Sequence, residues 1–407
     1  MRTLTMHSQC CIAGGGPAGL MLGLLLARAG VNVIVLEKHA DFLRDFRGDT
    51  IHPSTMAIID ELGWLDEFLQ LPHEPVASLS MQFSSTRLAV ADFSHLPVRT
   101  KFIAMMPQWD FLNFLAAKAK RYPKFQLIMR AEATTLIEEG GRICGVRAQS
   151  ADGEMLVRAD LVVAADGRHS VLRDQSGLAV EEFGAPMDVL WFRLSRQSDD
   201  TGQTQGRIDA GRIFIMLNRG DYWQCAFVIP KASYDRVQAA GIAAFRTSLA
   251  SILPIPPSRA NEIQSWDQLK LLTVQVNRLK RWWRKGFLCI GDAAHAMSPI
   301  GGVGVNLAVQ DAVAAANHLA VPLREQRLGE QHLQTIEARR VWPTRVTQRL
   351  QLNFQRTVIG AALSAQDRFE PPLMLRALLS VPGFNRLPAR LIGLGVRPEH
   401  VRSPEVR

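Results

Sequence analysis

Cysteines in metal-binding spacing are missing from this sequence of 407 residues. The five thiols, Cys10, Cys11, Cys144, Cys225 and Cys289, show no pattern that would hold zinc, so no metal site is expected. All but one sit in apolar, strand-like runs, which points to buried thiols in a reducing compartment and a cytoplasmic location. Long hydrophobic runs are missing as well. Residues 20–27 form the longest early one, well short of the ~20 residues that a membrane-spanning helix needs. It follows glycines rather than a basic leader, so the amino terminus is expected to be the start of the fold. Tyrosine is scarce, with only Tyr122, Tyr222 and Tyr234. No internal repeat or low-complexity tract interrupts the chain, which excludes solenoids and disordered arrays.

What is present is an ordinary globular composition, 47% hydrophobic and 21% charged, long enough for two or three domains. The formal net charge is +9, and most of the excess lies late: residues 337–407 hold twelve arginines, no lysine and five acidic residues. The arginines are not interleaved with aromatics and no nucleic-acid motif accompanies them, so nucleic acid is not an expected partner. A solvated basic helical face is expected, with peripheral membrane contact through this Arg-rich tail as the other reading.

Three stretches carry chemistry. Residues 9–13 read as a strand, and Gly14-Gly15-Gly16-Pro17-Ala18-Gly19 then opens a helix over 20–28. This is G-x-G-x-x-G between strand and helix: one glycine for the tight turn, one for backbone approach to a pyrophosphate, one for close helix–strand packing. A second strand, 31–36, ends at Glu37-Lys38, where a carboxylate suits ribose hydroxyls. Further on, 161–165 is a buried strand ending in Asp166-Gly167, with Ser170 placed to start a helix. The third stretch is an apolar strand, 287–290, stopped by Gly291-Asp292 and followed by Pro299, three glycines within 300–304, and a helix from Asn306. Open α/β sheets bind ligands at the carboxyl ends of their strands, and a helix amino terminus suits a partly anionic group.

Between these stretches, strands are expected at 76–83, 88–93, 125–129, 133–138, 142–149, 155–157, 187–195, 212–217, 222–230 and 270–279. Helices are expected through 58 to 68, with Pro53 and Ser54-Thr55 supplying the start, at 111–120 and at 234–253. The chain after Asp311 reads as helical, broken by Pro343 and later prolines.

Together the three stretches resemble the single-component FAD-dependent aromatic monooxygenases, the para-hydroxybenzoate hydroxylase-like or class A flavoprotein hydroxylase family, over about residues 9–325. The resemblance implies an α/β fold: a Rossmann-like, glutathione-reductase-like FAD-binding domain with an inserted β-sheet substrate domain and a helical C-terminal segment. The implied boundaries are 1–75, 101–180 and 280–325 for FAD, 76–100 and 181–279 for substrate, and 326–407 for the helical segment. The implied cofactor contacts are Gly14, Gly16, Ala18, Gly19, Glu37, Lys38, Arg47, Gln108, Asp166, Gly291, Asp292, Gly304, Val305 and Asn306, with Pro299 by the reactive edge of the flavin.

The implied reaction takes electrons from NADH or NADPH, adds O₂ to give a flavin C4a-hydroperoxide, and hydroxylates or epoxidises a hydrophobic aromatic or polycyclic substrate. No tyrosine matches the family's phenol-activating positions, so no catalytic base is assigned; His52, Trp223, Gln224 and Pro299 are the pocket candidates. Trp191, Phe192, Phe214, Met216, Trp223 and Phe227 are expected to divide between the flavin side and the packed side of the inserted sheet. A monomer or homodimer is expected. The alternatives are a flavin halogenase or prenyl-chain reductase on the same fold, or a flavin-binding membrane-surface protein. The halogenase W-x-W-x-I-P signature is absent, since residues 222–230 hold one tryptophan.

Overall fold

A computed structural model describes residues 4–43, 50–200 and 204–406. Arg47 lies outside the described residues. The dinucleotide sheet is built on Leu4–Ala13, which pairs in parallel with Val33–Glu37 on one side and Gly153–Ala164 on the other. Phe287–Cys289 and Phe125–Met129 extend it, also in parallel. The order is therefore Phe287–Cys289, Gly153–Ala164, Leu4–Ala13, Val33–Glu37, Phe125–Met129, a doubly wound arrangement. These strands are near-continuous apolar runs, as a sheet covered on both faces requires; every residue of Val33–Glu37 is buried. The helix Pro17–Arg28 packs against both Gly304–Arg324 and Gln108–Ala119.

Gly153–Ala164 is one twelve-residue strand where two short ones are expected at 155–157 and 161–165. Its first half also pairs antiparallel with Arg142–Ser150, and its last three residues pair with Phe287–Cys289. Asp160 is exposed within it, and that interruption of the apolar pattern is what hides the continuity.

The second sheet runs Lys270–Leu272, Met187–Ser195, Tyr222–Pro230, Arg212–Asn218, Gln205–Asp209, Ser78–Phe83, Arg87–Asp92. Residues 76–83 do not form one strand: Glu74–Val76 joins Ile103–Met105 and Thr50–Ile51 in a small third sheet, while Ser78–Phe83 joins the seven-stranded one. One face of the large sheet carries Phe192, Phe214, Met216, Trp223, Cys225 and Phe227 and is packed under Phe245, Leu249 and their neighbours. The other face carries Met187, Val189, Ile213, Ala226 and Val228, with Trp191 and Ile215 partly buried; it packs against Ile300, Phe354, Val358 and Ile359.

The helix expected over 234–253 is two, Tyr234–Ala239 and Ile242–Ala250, parted by Gly241 at φ +86°. Gly63, at φ +76°, likewise splits the helix expected through 58–68 into Pro53–Glu61 and Leu65–Phe68. Pro343 does not break its helix; Glu330–Phe354 runs through it. Proline removes one i→i−4 bond, a cost that buried packing of Pro343 and its neighbours offsets. No described helix is long and apolar enough to cross a membrane.

Candidate functional site

Four adjacent parallel strands end at one edge of the dinucleotide sheet, and each delivers a sequence-predicted residue there: Gly14 after Leu4–Ala13, Glu37 ending Val33–Glu37, Asp166 after Gly153–Ala164, and Gly291-Asp292 after Phe287–Cys289. The glycine loop divides its work among its members. Gly14 turns at φ +104°, and a Cβ there would lie 2.4 Å from Ala165 O. A Cβ on Gly19 would lie 1.9 Å from Gly14 O, so the helix can start on the strand only without a side chain there. A Cβ on Gly16 would meet nothing within 4 Å among the described residues. That open space lies at the amino terminus of Pro17–Arg28, which no side chain caps. The arrangement fits a pyrophosphate laid over Gly16 and the first turn of the helix.

Glu37 is buried, and its carboxylate organises this loop: Oε2 accepts from Gly15 N at 2.9 Å and Oε1 from His39 N at 3.0 Å. Lys38 turns outward to Glu132 at 3.6 Å and is half exposed. Ala18 packs rather than faces open space, since a Cβ on Gly291 would touch Ala18 and Ala308 at their Cβ atoms, each at 3.2 Å. Gln108 is the first residue of Gln108–Ala119, partly buried behind Pro107. Burial pushes the Asp166 carboxyl above its ordinary range against the opposing bond from Ser170, and its buried Oδ1 has no partner among the described residues. Such an acceptor suits a hydroxyl-bearing ligand. Asp292 is paired: Arg168 Nη2 donates to its Oδ2 at 3.3 Å, with both side chains about a quarter exposed. Arg168 was not singled out from sequence, although its place beside Asp166-Gly167 is a usable signal.

The Pro299–Asn306 stretch is a 3₁₀ turn, Ile300–Gly302, leading into Gly304–Arg324. No side chain caps that helix, which begins with Gly304, Val305 and Asn306. The Asn306 side chain is a clamp: its Oδ1 accepts from His52 N at 2.9 Å and Thr55 Oγ1 at 2.7 Å. His52, a pocket candidate, is fully buried, with Nδ1 2.8 Å from Ile392 O; burial lowers its pKa to about 4, so it is neutral. Trp223, another candidate, belongs instead to the packed far face of the large sheet, with Nε1 donating to Asp200 Oδ2 at 2.8 Å. Alternation along its strand puts it opposite Gln224, which lies on the Ala226 face and accepts from Arg219 Nε at 2.9 Å. Phe192, Phe214, Met216 and Phe227 share the far face, so of the six apolar residues expected to divide between faces only Trp191 meets the Ile300 side.

Behind the site, Asp311 on the Gly304–Arg324 helix accepts from Gly291 N at 3.1 Å, faces His295 Nε2 at 2.5 Å, and accepts from Arg340 Nε at 2.8 Å. Burial opposes its ionisation, but His295 and Arg340 outweigh it and hold the carboxyl below its usual range. Arg340 reaches Glu399 at 3.4 Å, and Arg339 reaches the same carboxylate at 2.7 Å, which ties the C-terminal stretch of the chain to the site. No cluster of metal-ligating side chains occurs among the described residues.

The profile of the family described as "FAD binding domain" matches residues 7–350. The chain is 31% identical over 400 residues, covering 98% of itself and 94% of its relative, to the 6-methylpretetramide 4-monooxygenase of Streptomyces rimosus. It is 26% identical over 305 residues to the rifampicin monooxygenase of Streptomyces venezuelae, covering 74% of this chain and 61% of that one. Among solved structures, the OxyS anhydrotetracycline hydroxylase of Streptomyces rimosus superposes with a TM-score of 0.76 at 24% identity, over 97% of this chain and 77% of that one. The halogenase CndH, a myxobacterial protein, superposes at 0.72 and 17% identity over 98% and 99%. At these identities the superpositions speak to the fold alone.

Proposed function

From the premise that this chain belongs to the FAD-binding-domain family of flavin-dependent monooxygenases, we propose that it uses NADH or NADPH and O₂ to hydroxylate or epoxidise a flat, hydrophobic aromatic or polycyclic compound. Bound FAD would supply the redox chemistry, accepting a hydride from the nicotinamide and passing electrons to oxygen. In this reading Gly14, Gly16 and Gly19 shape the pyrophosphate seat. Glu37, which holds the glycine loop through Gly15 N and His39 N, stands at the strand end where a carboxylate suits ribose hydroxyls. Asp166 and Asp292 face the polar chain of the cofactor, with Arg168 orienting Asp292, while Gln108 touches the linker. The start of Gly304–Arg324, with Val305 and Asn306, offers its uncapped amides to the pyrimidine edge, where negative charge develops on reduction. Residues 1–75, 101–180 and 280–325 would hold FAD, and 76–100 with 181–279 the substrate.

The observation that carries the substrate class is the partly buried apolar wall of Trp191 and Ile215, on the sheet face that meets Ile300. A dry wall beside Pro299 suits a flat ring system and keeps water from the reacting centre. The name of the 31% relative, a 6-methylpretetramide 4-monooxygenase, points the same way. Purified yellow protein should consume NAD(P)H and O₂ slowly alone and faster with a fused-ring phenol; no stimulation by any aromatic compound, with simple phenols included, would count against the proposal.

Peripheral membrane contact, if made, would use the 373–393 surface rather than the long helix. Leu373, Met374, Val381 and Leu387 are exposed there, and Arg376, Arg386 and Arg390 are its only charged residues. An anionic lipid surface complements that combination. Co-sedimentation with phosphatidylglycerol vesicles and not with phosphatidylcholine vesicles is the expected result.

A further inference from the structure

The loop 296–300 has little structure of its own; one helix binds three of its carbonyls from outside, those of Ala296, Ser298 and Ile300. Glu330–Phe354 and the π-helical turn after it, Gln355–Gly360, present Gln348, Gln351 and Gln355 at spacings of three and four, so all three share one helix face. They are 1%, 6% and 1% exposed. Gln348 Nε2 donates to Asn277 O at 2.7 Å and to Ala296 O at 3.2 Å. Gln351 Nε2 donates to Ser298 O at 3.0 Å and Ile300 O at 2.8 Å. Gln355 Nε2 donates to Ser298 Oγ at 2.7 Å, the same hydroxyl that receives Ile300 N at 3.3 Å. Pro299, between the two gripped residues, begins the turn into the uncapped Gly304–Arg324 helix.

The same segment also grips the other side. One turn beyond Gln355, Val358 and Ile359 are buried against the sheet face of Val189, Ile213 and Val228. Val358 and Ile359 lie within that π-helical turn, so one short stretch of chain touches both the loop and the sheet. A buried glutamine is costly where an apolar residue would pack, unless its amide is needed where it points.

We propose, resting on the flavin reading above, that Gln351 and Gln355 are positioning residues: they fix the Pro299 loop relative to the sheet, and thereby set where the flavin ring sits against the substrate wall. Gln351→Met and Gln355→Met keep the side-chain length and remove the amide donors. The expected results are a three- to tenfold weaker FAD dissociation constant and an altered visible-region circular dichroism of bound FAD, with the far-ultraviolet spectrum of the apoprotein unchanged. Ser298→Ala removes the Gln355 bond from the loop side and should reproduce the Gln355→Met spectrum; the double variant should add little to either single one. If a glutamine variant does not fold, Ser298→Ala alone carries the test. Variants that lower the melting temperature but leave FAD affinity and the visible dichroism as in the wild type would overturn the inference while sparing the flavin reading. A wild type that binds no FAD would overturn both.

Discussion

Gly16→Ala separates a seat for ligand from a seat for protein. Gly16 has φ −77° and ψ −173°, an extended conformation that alanine adopts without strain, and its new Cβ would meet no atom of the described residues within 4 Å. The apoprotein should therefore melt at the wild-type temperature or slightly above it, because alanine narrows the unfolded ensemble by ~0.4–1 kcal/mol. The methyl group would instead stand where the pyrophosphate must approach. Losing one charge-assisted hydrogen bond to that group costs ~1.5–3 kcal/mol, which is about ten- to a hundredfold in dissociation constant. Gly19→Ala is the contrast: its Cβ would lie 1.9 Å from Gly14 O, a backbone atom that cannot yield cheaply, so folding itself should suffer by ~1–3 kcal/mol. Differential scanning fluorimetry of the apoproteins and FAD titration followed by flavin fluorescence measure both effects. A Gly16→Ala protein that binds FAD as tightly as the wild type would refute the placement of the pyrophosphate.

Asp292→Ala should weaken FAD binding without destabilising the apoprotein, because among the described residues only Arg168 loses a partner, whereas Glu37→Ala should do both, since it strips the acceptor from Gly15 N and His39 N; paired melting and titration experiments distinguish them. His52 is held neutral with a pKa lowered to about 4, so the unfolded chain binds more protons between that value and the ordinary 6.5, and its stabilising contribution is lost as pH falls through this window. That contribution is about 3 kcal/mol, and urea melts of wild type and His52→Asn from pH 7 to 4 should converge at the acid end. FAD should be released into the supernatant by acid precipitation, because Cys289 and His295, which flank Gly291-Asp292, are both fully buried and out of reach for a covalent link; flavin retained in the pellet would contradict this.

The dinucleotide half of the molecule was legible because its signals are local. Gly14, Asp166 and Asp292 each stand at the end of an apolar strand, Gly16 and Gly19 follow at the start of the next helix, and strand order then brings the strand ends together. The substrate half was less so. Which face Trp223 takes depends on register with Met187–Ser195 and on what covers each face, and both faces of that sheet are apolar, so alternation could not choose between them. The breaks at Gly63 and Gly241 need a positive φ that the sequence permits at any glycine but does not demand. Pro343 looked like a breaker because propensity ignores the packing that holds its helix. The glutamine stripe was visible as spacing at 348, 351 and 355, yet on a polar helix it reads as solvent-facing until the loop it holds is seen.

The central claim, a flavin monooxygenase acting on a fused aromatic ring, is tested most directly by isotope labelling. The FAD-loaded protein is supplied with NADPH, a fused-ring phenol that stimulates its oxygen uptake, and ¹⁸O₂, and the product is weighed by mass spectrometry. The account predicts a product bearing one oxygen atom from labelled O₂. A product without the label, or one halogenated when chloride is present, would contradict it.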